Sequence, residues 1–382
     1  MKYKIKTGAD RIVEFHKVFQ GKRIGLITSQ SGVLSDLTST IDKFTSCYNL
    51  KALFAPEHGI RGEQQDGMDI NSYIDKRTGV PVYSIYGNKR SPVIEELENV
   101  DILVYDIQDV GSRYYTFIYS MANSMKVAKK KGIPFVILDR PNLISGLYPE
   151  GSPMMDKYRS FIGQYNIPQR YSLTAGELAL MLNKTEKIDV ELIVIPLEGW
   201  NRSLFFDDLD YHWINPSPNI ASFEASLFYN GTCLFEGTTL SEGRGTTRPF
   251  EMIGAPWIDS EKFASILNSM DIPGICFREV SFVPQFHKFQ GMLCHGVQLH
   301  IKDKYAIRPF STGLKMLYVA KEIGKENFKF IPPKHEVGDF TIDLMFGSSL
   351  IRESFDLDNV MSVINFYTAE YKENYQEYWI YK

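Results

Sequence analysis

The chain has 382 residues, 44% of them apolar, 13% aromatic and 23% charged, with a formal net charge of −4 and an isoelectric point near 6.0. This composition belongs to an ordinary globular protein and excludes fibrous and disordered classes, while the length exceeds one compact core and predicts two subdomains packed together. A mildly acidic chain has no broad attraction to phosphate backbones or anionic lipid, so neither nucleic acid nor a membrane surface is an expected partner; no apolar run approaches the roughly 20 residues that span a bilayer.

The start, MKYKIKTGADR, lacks the apolar centre of a signal peptide, which predicts a cytoplasmic protein on the sequence as it stands, or a periplasmic or secreted one if an export signal has been removed. Cys47, Cys233, Cys276 and Cys294 form no C-x-x-C pair, so no disulfide framework or zinc knuckle is expected.

In chain order, the runs RIGLITS (23–29), LKALFAP (50–56), PVYSIYG (81–87), DILVYDIQ (101–108), PFVILDR (134–140) and VELIVIPL (190–197) are apolar nearly throughout. Absence of alternation predicts strands buried on both faces, as in a parallel sheet. Helices fall between them, such as 116–131, closed by Gly132 and ending in Lys129 to Lys131. The alternation predicts an α/β fold, a Rossmann-like doubly wound and mainly parallel sheet with helices on both faces. From about 255 the texture changes: CFREVSFVPQF and MLCHGVQLHIKD read as strands of a mixed sheet, followed by helices over 311–324 and 357–372, a second, smaller α+β subdomain. The connection, NPSPN (215–219) and FEGTTLSEGRGTTRPFEMIGAPW (235–257), reads as a long loop whose charges among glycines favour function.

Ligands of such sheets sit at the carboxyl ends of the strands. There this chain places Glu57 and His58, then Gln108, Asp109 and Arg113, then Arg140 and Asn142. Glu57 emerges from an apolar wall, where desolvation raises a carboxyl pKa and suits it to general acid work; pairing with Arg61 is the alternative. His58 suits an orienting role. Period-two geometry puts Asp106 and Gln108 on one strand face and Asp109 on the other. A guanidinium at Arg113 beside these carboxylates suits either a ligand or a structural ion pair; the structural reading fits Asp109 better and the functional one Asp106. Asp139 and Arg140 could equally pair with each other. Thr174 to Glu177 have capping-box spacing, which assigns Glu177 to a helix start. The segment 236–248 lacks both the P-loop ending and G-x-G-x-x-G, so no nucleotide cofactor is expected; it offers the carboxylates Glu236 and Glu242, and Arg244 and Arg248 as clamps for an anionic ligand. His58, His212, His287, His295, His300 and His335 show no metal-ligand spacing.

Taken in order, FAPEHGIRG, YDIQDVGSRYYT, LDRPN, GW-NR, PSPN and EGTTLSEGRGTTRPFEMIGAPW resemble the signature of the NamZ family of exo-acting β-N-acetylmuramidases, closely from about Thr7 through Trp257 and more diffusely to the C-terminus. The resemblance implies a Rossmann-like catalytic subdomain over 1–250, an auxiliary α+β subdomain over 251–382, and an active-site cleft at their interface. It implies release of N-acetylmuramic acid (MurNAc) from the non-reducing end of peptidoglycan fragments such as MurNAc-GlcNAc. On that reading Glu57 is the general acid beside His58, and Glu242 is the second catalytic group with Asp106 and Asp139 in reserve. Arg244, Arg113 or Arg140 would clamp the lactyl carboxylate. Gln108 and Asn142 would hold hydroxyls or the acetamido group, and Tyr114, Asp139, Asn219 and Arg248 complete the binding set. A non-catalytic muropeptide-binding protein would use the same cleft without a proton donor. One departure falls where relatives usually read Arg-His-Gly-Met-Thr: Arg170, Tyr171, Ser172, Leu173 and Thr174 stand here, at a position expected on the pocket wall.

Overall fold

The computed structural model describes residues 2–62, 72–87, 89–333 and 338–382. All six apolar runs are strands: β1 (Arg23–Thr28), β2 (Asn49–Ala55), β4 (Pro81–Ser84), β5 (Ile102–Asp106), β6 (Phe135–Leu138) and β7 (Leu192–Ile195), with a short edge strand β3 (Tyr73–Ile74) that the sequence did not announce. Among the described residues the sheet order is β3-β4-β2-β1-β5-β6-β7. Every pairing is parallel except that of β3 with β4. The six parallel strands therefore follow the doubly wound order 3-2-1-4-5-6, whose direction of winding reverses between β1 and β5.

Burial on both faces accounts for the unbroken apolar runs. Along β5 and β6, Leu103, Tyr105, Phe135 and Ile137 enter one hydrophobic core, while Ile102, Val104, Val136 and Leu138 enter another. The second core is roofed by α1 (His16–Phe19) and α2 (Thr40–Cys47), through Phe19, Ile41 and Phe44. The first lies under α3 (Phe117–Lys131) and α4 (Ala175–Thr185). Gly132 ends α3 at φ 72, donating its N–H to Ala128 and Lys129 carbonyls, a left-handed cap that glycine adopts without strain. The box at α4 is formed, Thr174 accepting from the Glu177 N–H and Glu177 from that of Thr174. Glu177 also pairs with the buried Arg202 of GW-NR and accepts from the Ile380 N–H, so this carboxylate ties the helix start to the end of the chain.

Past α5 (Phe223–Thr232) comes the second sheet, antiparallel in the order β8-β10-β9, from β8 (Met252–Ala255), β9 (Ile275–Phe282) and β10 (Cys294–Ile301). β8 lies inside the segment expected to be loop. Its Gly254 is demanded by β10, since a Cβ there would meet the His295 carbonyl at 2.2 Å, and that glycine helped disguise the strand. The helices α6 (Ser260–Ser269), α7 (Pro309–Gly324), α8 (Thr341–Phe346), α9 (Leu350–Glu353) and α10 (Leu357–Asn374) complete this half. The first core continues into it through Ile253, Val297, Phe263, Leu314 and Ile364. Among the described residues no helix is long and apolar enough to cross a membrane.

Candidate active site

At the reversal point between β1 and β5, the expected ligand crevice is filled by side chains. Asp106 ends β5 fully buried, and the Arg140 guanidinium, from just beyond β6, grips it with Nε at 2.6 Å from Oδ1 and Nη2 at 3.0 Å from Oδ2. Arg140 also donates to the Tyr211 hydroxyl at 2.6 Å and the Val33 carbonyl at 2.9 Å, and the Thr40 hydroxyl donates to Asp106. Burial works against the Arg140 charge, but the Asp106 carboxylate outweighs it and raises its pKa. About 10 Å³ of space remains beside Ser31, Gln108 and Tyr211, about the room one water needs.

The neighbouring predicted residues are equally committed. Gln108 donates to the Asp109 and Pro141 carbonyls, and Asn142 to that of Leu173. Asp139 accepts from Thr174, Tyr381 and the Gly176 N–H, and burial lifts its pKa to about 6. Burial lifts Asp109 to about 7; one oxygen accepts from the Gly111 N–H and the other has no partner among the described residues. Arg113, fully buried, donates to the carbonyls of Ser152, Ile167, Met345 and Phe346, and burial lowers its pKa. None of Asp106, Gln108, Arg113, Asp139, Arg140 and Asn142, the residues expected to face a ligand, lines the large cavity; buried backbone and charged partners claim their hydrogen bonds. The divergent stretch from Arg170 to Leu173 is also buried away from that cavity rather than on its wall, with Ser172 at φ 56.

The cavity, about 540 Å³, opens instead at the carboxyl ends of β2 and β4. Consecutive left-handed residues, His58 at φ 75 and Gly59 at φ 81, turn the chain sharply after β2. Such a conformation in a non-glycine residue needs the surrounding fold to hold it and is common at functional sites. The turn leaves Glu57 half-buried on the lining, where the Tyr86 hydroxyl donates to Oε1 at 2.7 Å and the Thr116 hydroxyl to Oε2 at 3.4 Å. His58 is buried edge-on to Phe117, ring centres 6.5 Å apart. Tyr114, Tyr115, Tyr229 and Phe250 form an edge-to-face aromatic wall, and Asn219 of PSPN lines the cavity beside them.

The same cavity is lined by a charged cluster from 236–244 and the β9–β10 hairpin. Arg244 bridges Glu236 at 2.5 Å and Glu242 at 3.2 Å and lies over the Phe250 ring at 4.8 Å. Lys288 donates to Glu242 at 3.1 Å and to the carbonyls of Phe235, Glu236 and Leu240. Burial opposes the charge of Glu242, but Lys288 and Arg244 together prevail and hold its carboxyl below the usual range. A carboxyl so placed is an ionised base or charge stabiliser, not a proton donor.

The structure therefore brings Glu57, His58, Tyr114, Asn219, Glu242 and Arg244 to one cavity. Arg248 is absent from its lining; half-exposed, it pairs with Glu251 at 3.2 Å. Lys288, His287, Tyr86, Tyr115 and Tyr229 line the cavity without having been singled out. The only available signal was the hairpin tip FHKF (286–289), which is unusually aromatic for a turn. Among the described residues no group of three or more His, Cys, Asp or Glu side chains is placed to hold a metal ion; His335 lies outside them.

Family models described as the N-terminal and C-terminal parts of exo-β-N-acetylmuramidase NamZ match residues 24–224 and 227–381. The chain belongs to the NamZ family. It is 44% identical over 387 aligned positions to peptidoglycan β-N-acetylmuramidase NamZ of Bacillus subtilis (strain 168), covering 100% of this chain and 92% of that protein. Two crystal structures of DUF1343 family proteins from Bacteroides fragilis NCTC 9343 share the fold. One has a TM-score of 0.92 at 35% identity, covering 100% of both chains; the other has 0.78 at 28%, covering 99% of both. The NamZ resemblance thus extends past Trp257 through the second sheet and the C-terminal helices, the half that supplies Lys288.

Proposed function

We propose that this chain is an exo-acting β-N-acetylmuramidase that releases MurNAc from the non-reducing end of peptidoglycan fragments, with Glu57 as general acid. The observation that carries the reading is 44% identity, over the whole of this chain, to a peptidoglycan β-N-acetylmuramidase. A cavity lined by half-buried Glu57 and by a cation-held carboxylate, Glu242, supports it.

Glycoside hydrolysis needs an acid to protonate the leaving oxygen and a second group to activate water or stabilise an oxocarbenium-like transition state. Glu57 takes the first role, its orientation set by the Tyr86 and Thr116 hydroxyls. Glu242 takes the second, kept ionised by Lys288 and Arg244. His58, wedged against Phe117, positions the glutamate before it. Of the three guanidiniums considered as clamps for the lactyl carboxylate, Arg244 is the one that lines the cavity, with Lys288 beside it, and it takes that role here. A charge-assisted contact there contributes about 1.5 to 3 kcal/mol to selectivity for MurNAc over GlcNAc. The aromatic wall offers faces for the sugar ring.

Incubation with MurNAc-GlcNAc followed by product identification tests the proposal, with free MurNAc and GlcNAc expected. An intact disaccharide that nonetheless binds, measured by calorimetry, would make the protein a muropeptide carrier instead.

A further inference from the structure

The motif around 235–257 is only partly absorbed by the cavity: its last residue, Trp257, lies elsewhere. Trp257 lines a second cavity of about 440 Å³ with Phe289, Thr239, Asn327 and Lys329, and Lys288 lines both this cavity and the catalytic one. Lys288, whose ammonium is held by Glu242, therefore stands between the two spaces. We infer that this groove binds the reducing-side sugars of a glycan longer than a disaccharide, as an extension of the aglycone site; the inference rests on the proposed muramidase activity.

Three features carry it. The indole of Trp257 is half-buried and fixed in place, since Gly324 of α7 comes so close that a Cβ there would meet the ring at 2.5 Å. Phe289, at φ 59 in the hairpin, presents a second half-buried aromatic side chain to the same space. The rim is hydrophilic and exposed, formed by Glu326, Asn327 and Lys329, with the backbone below braced by the Thr239 hydroxyl donating to the Asn327 carbonyl at 2.8 Å. Fixed aromatic faces with polar groups around them suit a sugar, whose C–H face packs on a ring while its hydroxyls reach outward. An exo-acting enzyme holds its terminal sugar in the reacting pocket, so any longer substrate must leave on the reducing side, and Lys288 marks a boundary where the catalytic cavity has an adjoining space.

The test compares kcat/KM for MurNAc-GlcNAc with that for the peptide-free tetrasaccharide (MurNAc-GlcNAc)2. The wild type should prefer the tetrasaccharide. Trp257→Ala should lower the tetrasaccharide-to-disaccharide ratio by about 3- to 10-fold, Trp257→Phe should restore part of it, and disaccharide turnover should stay within about twofold. Asn327→Ala, on the exposed rim where folding is not at stake, should lower the ratio about threefold. Equal wild-type rates on both substrates, or an equal loss on both in the variants, would overturn the assignment. So would a loss seen only with peptide-bearing tetrasaccharides, which would give the groove to the stem peptide. If the wild type cleaves neither substrate, the muramidase reading fails on its own. Calorimetric binding of the tetrasaccharide to wild type and Trp257→Ala then still decides the groove, with unchanged affinity counting against it.

Discussion

The carboxyl-end rim of the large sheet carries charged side chains in two places, and only one of them is open. Between β1 and β5, where doubly wound sheets usually bind their ligands, Arg140 crosses from β6 to Asp106 and the space closes to about 10 Å³. At the ends of β2 and β4 the chain turns away through His58 and Gly59, and a cavity of about 540 Å³ opens there, lined by Tyr114, Tyr115, Tyr229 and Phe250. Both regions are rich in carboxylates and guanidiniums. The difference is where the paired charges lie: at Asp106 the pair is fully buried and fills the space, whereas Glu57 and the paired charges of 236–244 line an open cavity.

Disabling each region in turn should have different consequences. The largest effect belongs to Glu57→Gln, which keeps the shape but removes the proton donor: MurNAc-GlcNAc turnover should fall by about 10²- to 10⁴-fold with an unchanged melting temperature. Turnover near wild type would take Glu57 out of the acid role. Arg140→Ala should do the reverse, costing about 3 to 5 kcal/mol in urea unfolding by leaving Asp106 buried without its cation, while KM of the folded fraction is maintained; a selective rise in KM would return Arg140 to the ligand.

Asp109→Asn should reshape the pH dependence of stability. The folded Asp109 keeps its proton up to about pH 7, whereas an unfolded aspartate releases it near 3.9, so wild-type stability falls as pH rises between those values and the loss is complete above them. The difference between variant and wild type in urea unfolding should therefore shift in the variant's favour by up to about 4 kcal/mol from pH 4 to pH 8. Parallel stability curves would show that the carboxyl is ionised in the fold.

Lys288→Met removes one of the two cations that hold Glu242 ionised, so the acidic limb of the kcat/KM profile should move to higher pH. A limb that does not move would mean Glu242 is not the ionised partner. The smallest effect is expected at Arg248, half-exposed and outside the cavity: Arg248→Ala should leave turnover within about twofold, and a large loss would bring it back to the site.

Legibility followed the range of the interaction. The parallel strands were readable because burial on two faces leaves no polar alternation, and α3 and α4 because Gly132 and the Thr174–Glu177 box act within a few residues. β8 was not, because Gly254 serves a strand 41 residues away in sequence, at His295. The Glu57, Glu242 and Arg244 motifs could be recognised as polar groups leaving apolar runs or glycine-rich turns. Lys288 could not, since its meaning comes from Glu242, 46 positions away.

The amino-acid order alone determined the winding of the sheet, the helix ends and the set of charged groups delivered to its rim, because hydrophobic periodicity and capping act between near neighbours. Tertiary structure decided which of those groups cancel and which face a cavity. That outcome depends on how elements distant in sequence pack, burying the Asp106–Arg140 pair while leaving Glu57 and the Arg244 pairs on a cavity wall.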